Sequence, residues 1–462
     1  MTAVEQTFST THCAFGVARR DVTPPVGIYA RSWGAASHDV AEGVHRKLNA
    51  TAAVLAPIAG KGPTLALVAL DIGWFQYAPD GLALRAAVME RTGLGEAELL
   101  IQMSHTHAGA NTNSRLEGMP GTELIAPYLE RLTAQVGDAV LEARSRATEA
   151  FVTYGQGRCG LAANRDYWDV EAERYACGYN PDGTADDTLL VARATDAAGG
   201  TLATVFNYAC HPTTLAWENR LLSPDYIGAA REVLEEAFGA PALFLQGASG
   251  ELAPRDDYVS DPAVADRNGR QLGHAAAAAI EALPPPGTRF AYTGIVASGA
   301  NLGTWAYRPC APEQLAAAAR LEAKLTGVDL ACKKDIGVVE SLPSSTPESL
   351  QEREKAMRRE FLRLALGEGP VHRMPLWAWR LGEALLLAVP NEPYSVFQVV
   401  LRRRFTNTPL LVLMTTNGGV GYLPPHDTYG SGRYQEQQSP FAPGCLEQAI
   451  EAAAEALESL RP

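Results

Sequence analysis

The stretch ELLIQMSHTHAGA, residues 98–110, sets the reading of the whole chain. An apolar run ends abruptly in two histidines two residues apart, followed by small residues. Short apolar runs broken by polar clusters and separated by amphipathic helical stretches are the rhythm of an α/β fold. Five other runs share this build: TLALVAL (64–70), TVFNYAC (204–210), ALFLQ (242–246), EALLLAV (383–389) and PLLVLMTT (409–416). Four of these five open at once into polar, glycine or proline residues: HPTT, GASGELAPRDD, PNEP and NGGVGYLPP. In α/β folds, functional groups gather where the C-terminal ends of strands run into loops. The expected fold is therefore α/β, with a mixed sheet core flanked by helices and a site at the strand C-terminal ends.

The bulk composition narrows the function. With 462 residues, 47% hydrophobic and 20% charged, the chain is that of an ordinary globular protein with room for a sizeable core. A net charge of −13 argues against non-specific binding to nucleic acid or to an anionic membrane surface, both of which reward basic patches. LRRRF (401–405), the densest basic run, reads as the polar end of a helix. No run of 18 apolar residues marks a membrane span, and the N-terminus has no signal-peptide pattern. Seven cysteines without a CxxC pair suit a reducing compartment, so the expected location is the cytoplasm. Any metal must then be held by histidine and carboxylate. Association into a homo-oligomer is compatible with a chain of this size and is not readable from it.

The Ala-rich helix in GHAAAAAIEALPPPG (273–287) is stopped by three prolines, and residues of about 312–368 become charged and are expected to be helical. The chain closes on a further helix, CLEQAIEAAAEALESLRP.

On an extended segment the i, i+2 spacing of His105 and His107 turns both rings to one face. His211 follows a second strand, Glu392 a third, in VPNEP, and Tyr422 a fourth. Imidazoles with a carboxylate form a donor set that suits zinc. Each histidine taken singly also fits the role of a hydrogen-bonded core residue. His38 and His45, flanking DVAEG, are further candidates for a cleft, and Trp168, Trp217, Trp305 and Tyr307 for an apolar pocket or for plain packing. Nucleotide-binding glycine motifs, a GxSxG elbow and HExxH are all absent.

Seven segments, in order from about residue 15 to 445, resemble the catalytic domain of the neutral/alkaline (non-lysosomal) ceramidases, a family of zinc-dependent amidases. They are FGVARRDVTPP (15–25), SHTHAGA (104–110), AANRDY (162–167), NYACHPTTL (207–215), SPDYIGAA (223–230), VPNEP (389–393) and GYLPPHDTYGSGRYQEQ (421–437). The resemblance implies one ceramidase-like catalytic domain over 1–462, with the helical stretch of about 312–368 as an insertion. The family's C-terminal immunoglobulin-like domain is expected to be absent. It further implies Zn2+ held by His105, His211, Glu392 and Tyr422, with His107, Arg165 and Tyr434 handling protons and developing charge.

One departure matters. The family's nucleophile loop carries a serine where this chain has Ala253, in GELAPR (250–255). An alanine forms no acyl intermediate. The expected nucleophile is thus zinc-activated water, with Glu251 on the same loop as the candidate base and a solvated or helix-capping acid as its other reading. Ser249 as a displaced nucleophile and Asp256 and Asp257 as loop charges or cation binders complete the candidates. The expected activity is zinc-dependent hydrolysis of an amide, or of an ester or lactone, in a small-molecule substrate other than ceramide. The alternatives are a zinc-dependent acyl transfer or rearrangement, and a metal-containing binding protein without activity.

Overall fold

The computed structural model describes residues 4–58, 62–333, 360–367 and 369–462. All six apolar runs are strands, and they belong to two sheets. The larger has eight strands in the order Ala242–Gln246, Thr201–Tyr208, Thr188–Asp196, Thr148–Arg158, Thr10–Asp21, Asn49–Ala56, Leu65–Leu70 and Leu99–Met103. The smaller has four, in the order Leu321–Ala331, Val371–Leu381, Ala384–Ala388 and Leu410–Leu413.

Most neighbours in these sheets are antiparallel. Three pairs are parallel: 65–70 with 99–103, 201–208 with 242–246, and 384–388 with 410–413. Parallel pairing needs a crossover, and it leaves two strand C-termini side by side. Those three pairs are the six runs first picked out in the sequence. All the metal-ligand candidates lie in the loops that leave them.

The sheets stack face to face. One apolar cluster interleaves Phe15, Leu67, Leu100 and Tyr154 of the large sheet with Trp377, Trp379, Leu386 and Leu413 of the small one. Trp379 is fully buried and donates its indole N–H to the Ala97 carbonyl at 2.6 Å. Its truncation to alanine would cost about 3–5 kcal/mol, as for large aromatic cores generally. Helices cover the outer faces: Ala78–Thr92 and Ile125–Ser145 on one part of the large sheet, and Tyr226–Phe238 and Pro262–Glu281 on the other. Val396–Arg404 and Cys445–Glu458 cover the small sheet. The result is a helix–sheet–sheet–helix sandwich, and the mixed sheet flanked by helices is as expected.

At the site end the sheets are tied by hydrogen bonds. The Asn207 side-chain amide donates to Leu245 and Val412, one carbonyl in each sheet, at 2.9 and 3.0 Å. Met414 N donates to the Gln246 carbonyl at 3.0 Å. Loops from both sheets are therefore held in a common frame.

The region of about 312–368 is helical at 312–318 and 360–366, as expected, and departs from the expectation between them. Helix Pro312–Ala318 ends early, and Leu321–Ala331 is the edge strand of the small sheet, paired along its whole length with Val371–Leu381. The sequence LEAKLTGVDLA has good helix formers at its start, but antiparallel pairing of eleven residues outweighs that weak local preference. Residues 334–359 and 368 of the expected helical stretch lie outside the described residues.

A hairpin, Thr288–Ala297 with Asn301–Pro309, carries Phe290, Tyr292, Trp305 and Tyr307 together as stacked and edge-on rings. Among the described residues, no helix is long and apolar enough to cross a membrane. All seven cysteines are free.

Candidate metal centre

Each metal-ligand candidate is placed by backbone that leaves it little choice. His105 follows strand Leu99–Met103 in a left-handed conformation, φ 67°, unusual for a side chain of this size. The turn is fixed by His105 N donating to the Ile72 carbonyl at 3.0 Å. Gly73 must be glycine here, since a Cβ would stand 2.9 Å from the Thr106 carbonyl oxygen. Glu392 and Tyr422 are direct partners in a two-residue parallel ladder, so one backbone contact sets both side chains. Gly250 lets its loop run beneath them; a Cβ there would meet the Glu392 carbonyl oxygen at 3.0 Å.

The side chains converge. His105 Nε2 and His211 Nε2 each lie 3.2 Å from Glu392 Oε2, and the three donor atoms are within 4.8 Å of one another. The Tyr422 hydroxyl is 3.4 Å from His211 Nε2. On their far sides both imidazoles are anchored. His105 Nδ1 faces the Gly73 carbonyl at 3.2 Å, and His211 Nδ1 faces the Ser249 carbonyl at 2.7 Å. A carbonyl oxygen accepts only, so Nδ1 carries the hydrogen and the Nε2 lone pair points inward in both rings.

The protonation states agree with this. Burial, followed by the nearby Arg165 charge, pushes His211 down to about 3. Burial pushes the Glu392 carboxyl up, and only positive charge placed between it and the two rings, a shared proton or a metal ion, holds it well below the usual carboxylate range. Neutral imidazole beside ionised carboxylate is the donor state that a divalent cation requires. The residues present therefore fit a metal.

Arg165 stands against this group. Its Nη2 donates to the Tyr422 hydroxyl at 3.1 Å and to the Gly250 carbonyl at 2.7 Å, while its Nε is buried without a partner. The Tyr434 ring lies edge-on to Tyr422 with centroids 5.7 Å apart. His107, two residues from His105, packs against Trp33, Trp74 and His105 at 5.0–5.2 Å between ring centres. Neither of its ring nitrogens has a hydrogen-bond partner. Burial, with His105 and His211 adding to it, holds His107 well below the ordinary histidine value.

The 250–257 loop behaves differently. Ala253 is buried on a short strand opposite Ala163, and this pairing delivers Arg165, whose N–H donates to the Glu251 carbonyl at 2.9 Å. The Glu251 side chain accepts from Ser395 N at 2.8 and 3.0 Å and from the Ser395 hydroxyl, at the start of helix Val396–Arg404. Of the two sequence readings for Glu251, this is the geometry of the helix-capping acid. Ser249 faces away from Glu392, its hydroxyl accepting from Gln246 Nε2 at 2.8 Å. Asp257 accepts from the Thr213 hydroxyl at 2.9 Å through one oxygen and leaves the other, Oδ1, buried and unpartnered. Burial pushes its carboxyl up to about 8.

Trp217 does join the site, stacked on Tyr258 and edge-on to Trp33. Trp305 and Tyr307 lie on the hairpin instead, and Trp168 packs on Tyr175 at 43% exposure. Trp33, Trp74 and Tyr258 were not foreseen. Only Trp33 gave a sequence signal, as a lone large aromatic among Gly, Ala and Ser in RSWGAAS (31–37).

Comparison with known proteins agrees with this geometry. The family model for neutral/alkaline non-lysosomal ceramidase, N-terminal, matches residues 14–250. That is more than half of the chain. The chain belongs to the neutral/alkaline non-lysosomal ceramidase family. The structure is similar to that of the neutral ceramidase from Pseudomonas aeruginosa, with a TM-score of 0.68 at 17% identity over 99% of this chain and 76% of that one. A ceramidase complexed with C2 is similar at a TM-score of 0.66 and 16% identity, over 98% of this chain and 76% of that one. A search of curated protein sequences gives no match. The match to the family model ends at residue 250, before Ala253, and the structural likeness shows the fold across the second half.

Proposed function

We propose that this ceramidase-family protein is a zinc-dependent hydrolase of an amide bond, with ester or lactone bonds as easier variants, and that its substrate is a small molecule other than ceramide. The observation that carries this reading is the anchored pair His105 and His211, with both Nε2 atoms turned on the Glu392 carboxylate. Zinc would be held by these three residues and by the Tyr422 hydroxyl, whose titration burial and the Glu392 carboxylate push well above the ordinary tyrosine value, with Arg165 Nη2 opposing them. Bound there, zinc supplies a Lewis acid for the amide carbonyl and lowers the pKa of water.

The chain's own residues supply the rest. Arg165 Nε and the Tyr434 hydroxyl donate to the carbonyl oxygen as it gains charge. His107 enters neutral with both ring nitrogens unengaged, so it can take a proton from water and return it to the departing amine. In this reading the role of base passes from Glu251 to His107. A buried imidazole left unpaired costs about 1–3 kcal/mol, a cost that a partner arriving with water or substrate offsets. The seven free cysteines accord with a reducing cytoplasm.

The test is metal analysis of freshly purified protein, followed by amine release from simple amides. Stoichiometric zinc, with turnover lost on chelation and restored by zinc, is the expected result. Protein free of zinc that turns over amides unchanged would end the proposal.

A further inference from the structure

Asp71, the first residue after strand Leu65–Leu70, and Arg231, in helix Tyr226–Phe238, form a buried ion pair that no step above uses. Arg231 Nη1 and Nη2 donate to Asp71 Oδ1 and Oδ2 at 2.9 and 2.6 Å, fork to fork. Asp71 Oδ2 also accepts from Asn49 N at 2.8 Å, and Asp71 N donates to the Asn49 carbonyl at 2.9 Å. The carboxylate is thus fixed to the sheet on one side and to the helix on the other.

The segment that carries His105 is held between the same two elements. On the sheet side, the two residues that follow Asp71 grip His105 directly. The Ile72 carbonyl accepts from His105 N at 3.0 Å, and the Gly73 carbonyl faces His105 Nδ1 at 3.2 Å. On the helix side, Ser223 lies just before helix Tyr226–Phe238. Its carbonyl accepts from the Thr106 hydroxyl at 2.7 Å, and its N–H donates to the Ala108 carbonyl at 2.9 Å. His105 has a left-handed backbone, φ 67°, which only its surroundings can enforce. A shift of either side therefore turns the ring.

A buried ion pair is a poor source of net stability, because lost hydration offsets most of the attraction. What a bidentate pair supplies is geometry, since two parallel hydrogen bonds fix both distance and orientation. We propose that Asp71 and Arg231 are positioning residues for the metal centre: their pairing sets the His105 imidazole where it can share one divalent cation with His211 and Glu392. The inference rests on the metal reading of that group. Both residues act through others, Asp71 through the Ile72 and Gly73 carbonyls and Arg231 through the helix that Ser223 precedes.

The test is zinc affinity of the metal-free protein, measured by competition with a chromophoric chelator, with thermal unfolding alongside. Asp71→Leu combined with Arg231→Met puts an apolar pair in place of the charges. Its Tm should stay within about 5 °C of wild type, while zinc binds about 10–100-fold more weakly. Leu457→Ala, which opens the buried packing of the last helix, is the control for stability and should lower Tm with zinc affinity unchanged. Wild-type affinity in the double variant, or an equal loss in Leu457→Ala, overturns the proposal. If the double variant does not fold, Arg231→Lys decides in its place. It keeps the charge but loses the fork, and should bind zinc about tenfold more weakly, whereas unchanged affinity removes the positioning role. If wild type takes up no zinc, the metal reading falls by itself, and crystal structures of wild type and Arg231→Lys decide the rest. A His105 ring turned away from the Gly73 carbonyl in the variant keeps the positioning role, and an unmoved ring ends it.

Discussion

The loops that bring His105, His211 and Glu392 together and the 250–257 loop beside them are built on opposite terms. In the first group the side chains face inward and the backbone merely holds them. In the second the backbone is the working part. Its Ser249 carbonyl orients His211, its Gly250 carbonyl holds Arg165, and its Glu251 carboxylate is spent on Ser395. The loop thus serves as a frame for the residues that could hold a metal. A segment can matter through its backbone alone, because neighbours depend on its carbonyls.

The largest effect should come from the inward-facing group. His211→Ala removes a donor, and its metal content should fall below a tenth of wild type by elemental analysis. The loss in turnover should exceed the roughly hundredfold typical of losing an outer hydrogen-bond partner. Stoichiometric zinc in that variant would break the distinction between the two groups. Next, Arg165→Gln should keep its metal and lose about 10²–10³ in kcat, the scale of one missing donor to a developing oxyanion. If metal is lost as well, the contact between Arg165 and the Tyr422 hydroxyl is structural.

Glu251→Gln probes the framing loop and should leave kcat within about tenfold, in contrast to Arg165→Gln. Its signature is in stability. Burial pushes the Glu251 carboxyl up to about 7 from an ordinary value of 4.5. An acid raised by folding binds more protons in the folded state between those values, so it withdraws stability as pH rises from about 4.5 to about 7. Glu251→Gln should remove that slope, on the order of 1–3 kcal/mol, so its Tm should fall less than that of wild type from pH 5 to pH 7.5. An unchanged slope with turnover abolished would return Glu251 to the role of base. The smallest effect is expected from Ala253→Ser, about 1 kcal/mol for a hydroxyl placed at a buried position, with no acyl adduct by intact-protein mass spectrometry. An adduct would show that the loop still presents a nucleophile's geometry.

The six strands were legible because each is a short apolar run cut off by polar or glycine-rich residues, and the fold turns on that alternation. His105, His211, Glu392 and Tyr422 were legible for the same reason, since each follows such a run. Leu321–Ala331 was not, because its residues favour a helix and its partner strand begins fifty residues later, at Val371. Nor could the commitment of the Glu251 carboxylate be read, since it depends on where the helix after Ser395 starts. Trp33 reaches His107 and Tyr258 only through loops that pack in three dimensions, and their spacing in the sequence holds no trace of that.

The three parallel pairs also divide the donors by order of synthesis. Both imidazoles hang from the large sheet, whose last strand ends at Gln246, whereas the carboxylate and the phenol come with the small sheet at 392 and 422. Chains emerge and fold from the N-terminus. A growing chain therefore presents the nitrogen half of the centre well before its oxygen half exists. Docking of the small sheet is the step that completes the donor set, and a change that loosens the packing of Trp377 and Trp379 against the large sheet will loosen that donor set many residues away.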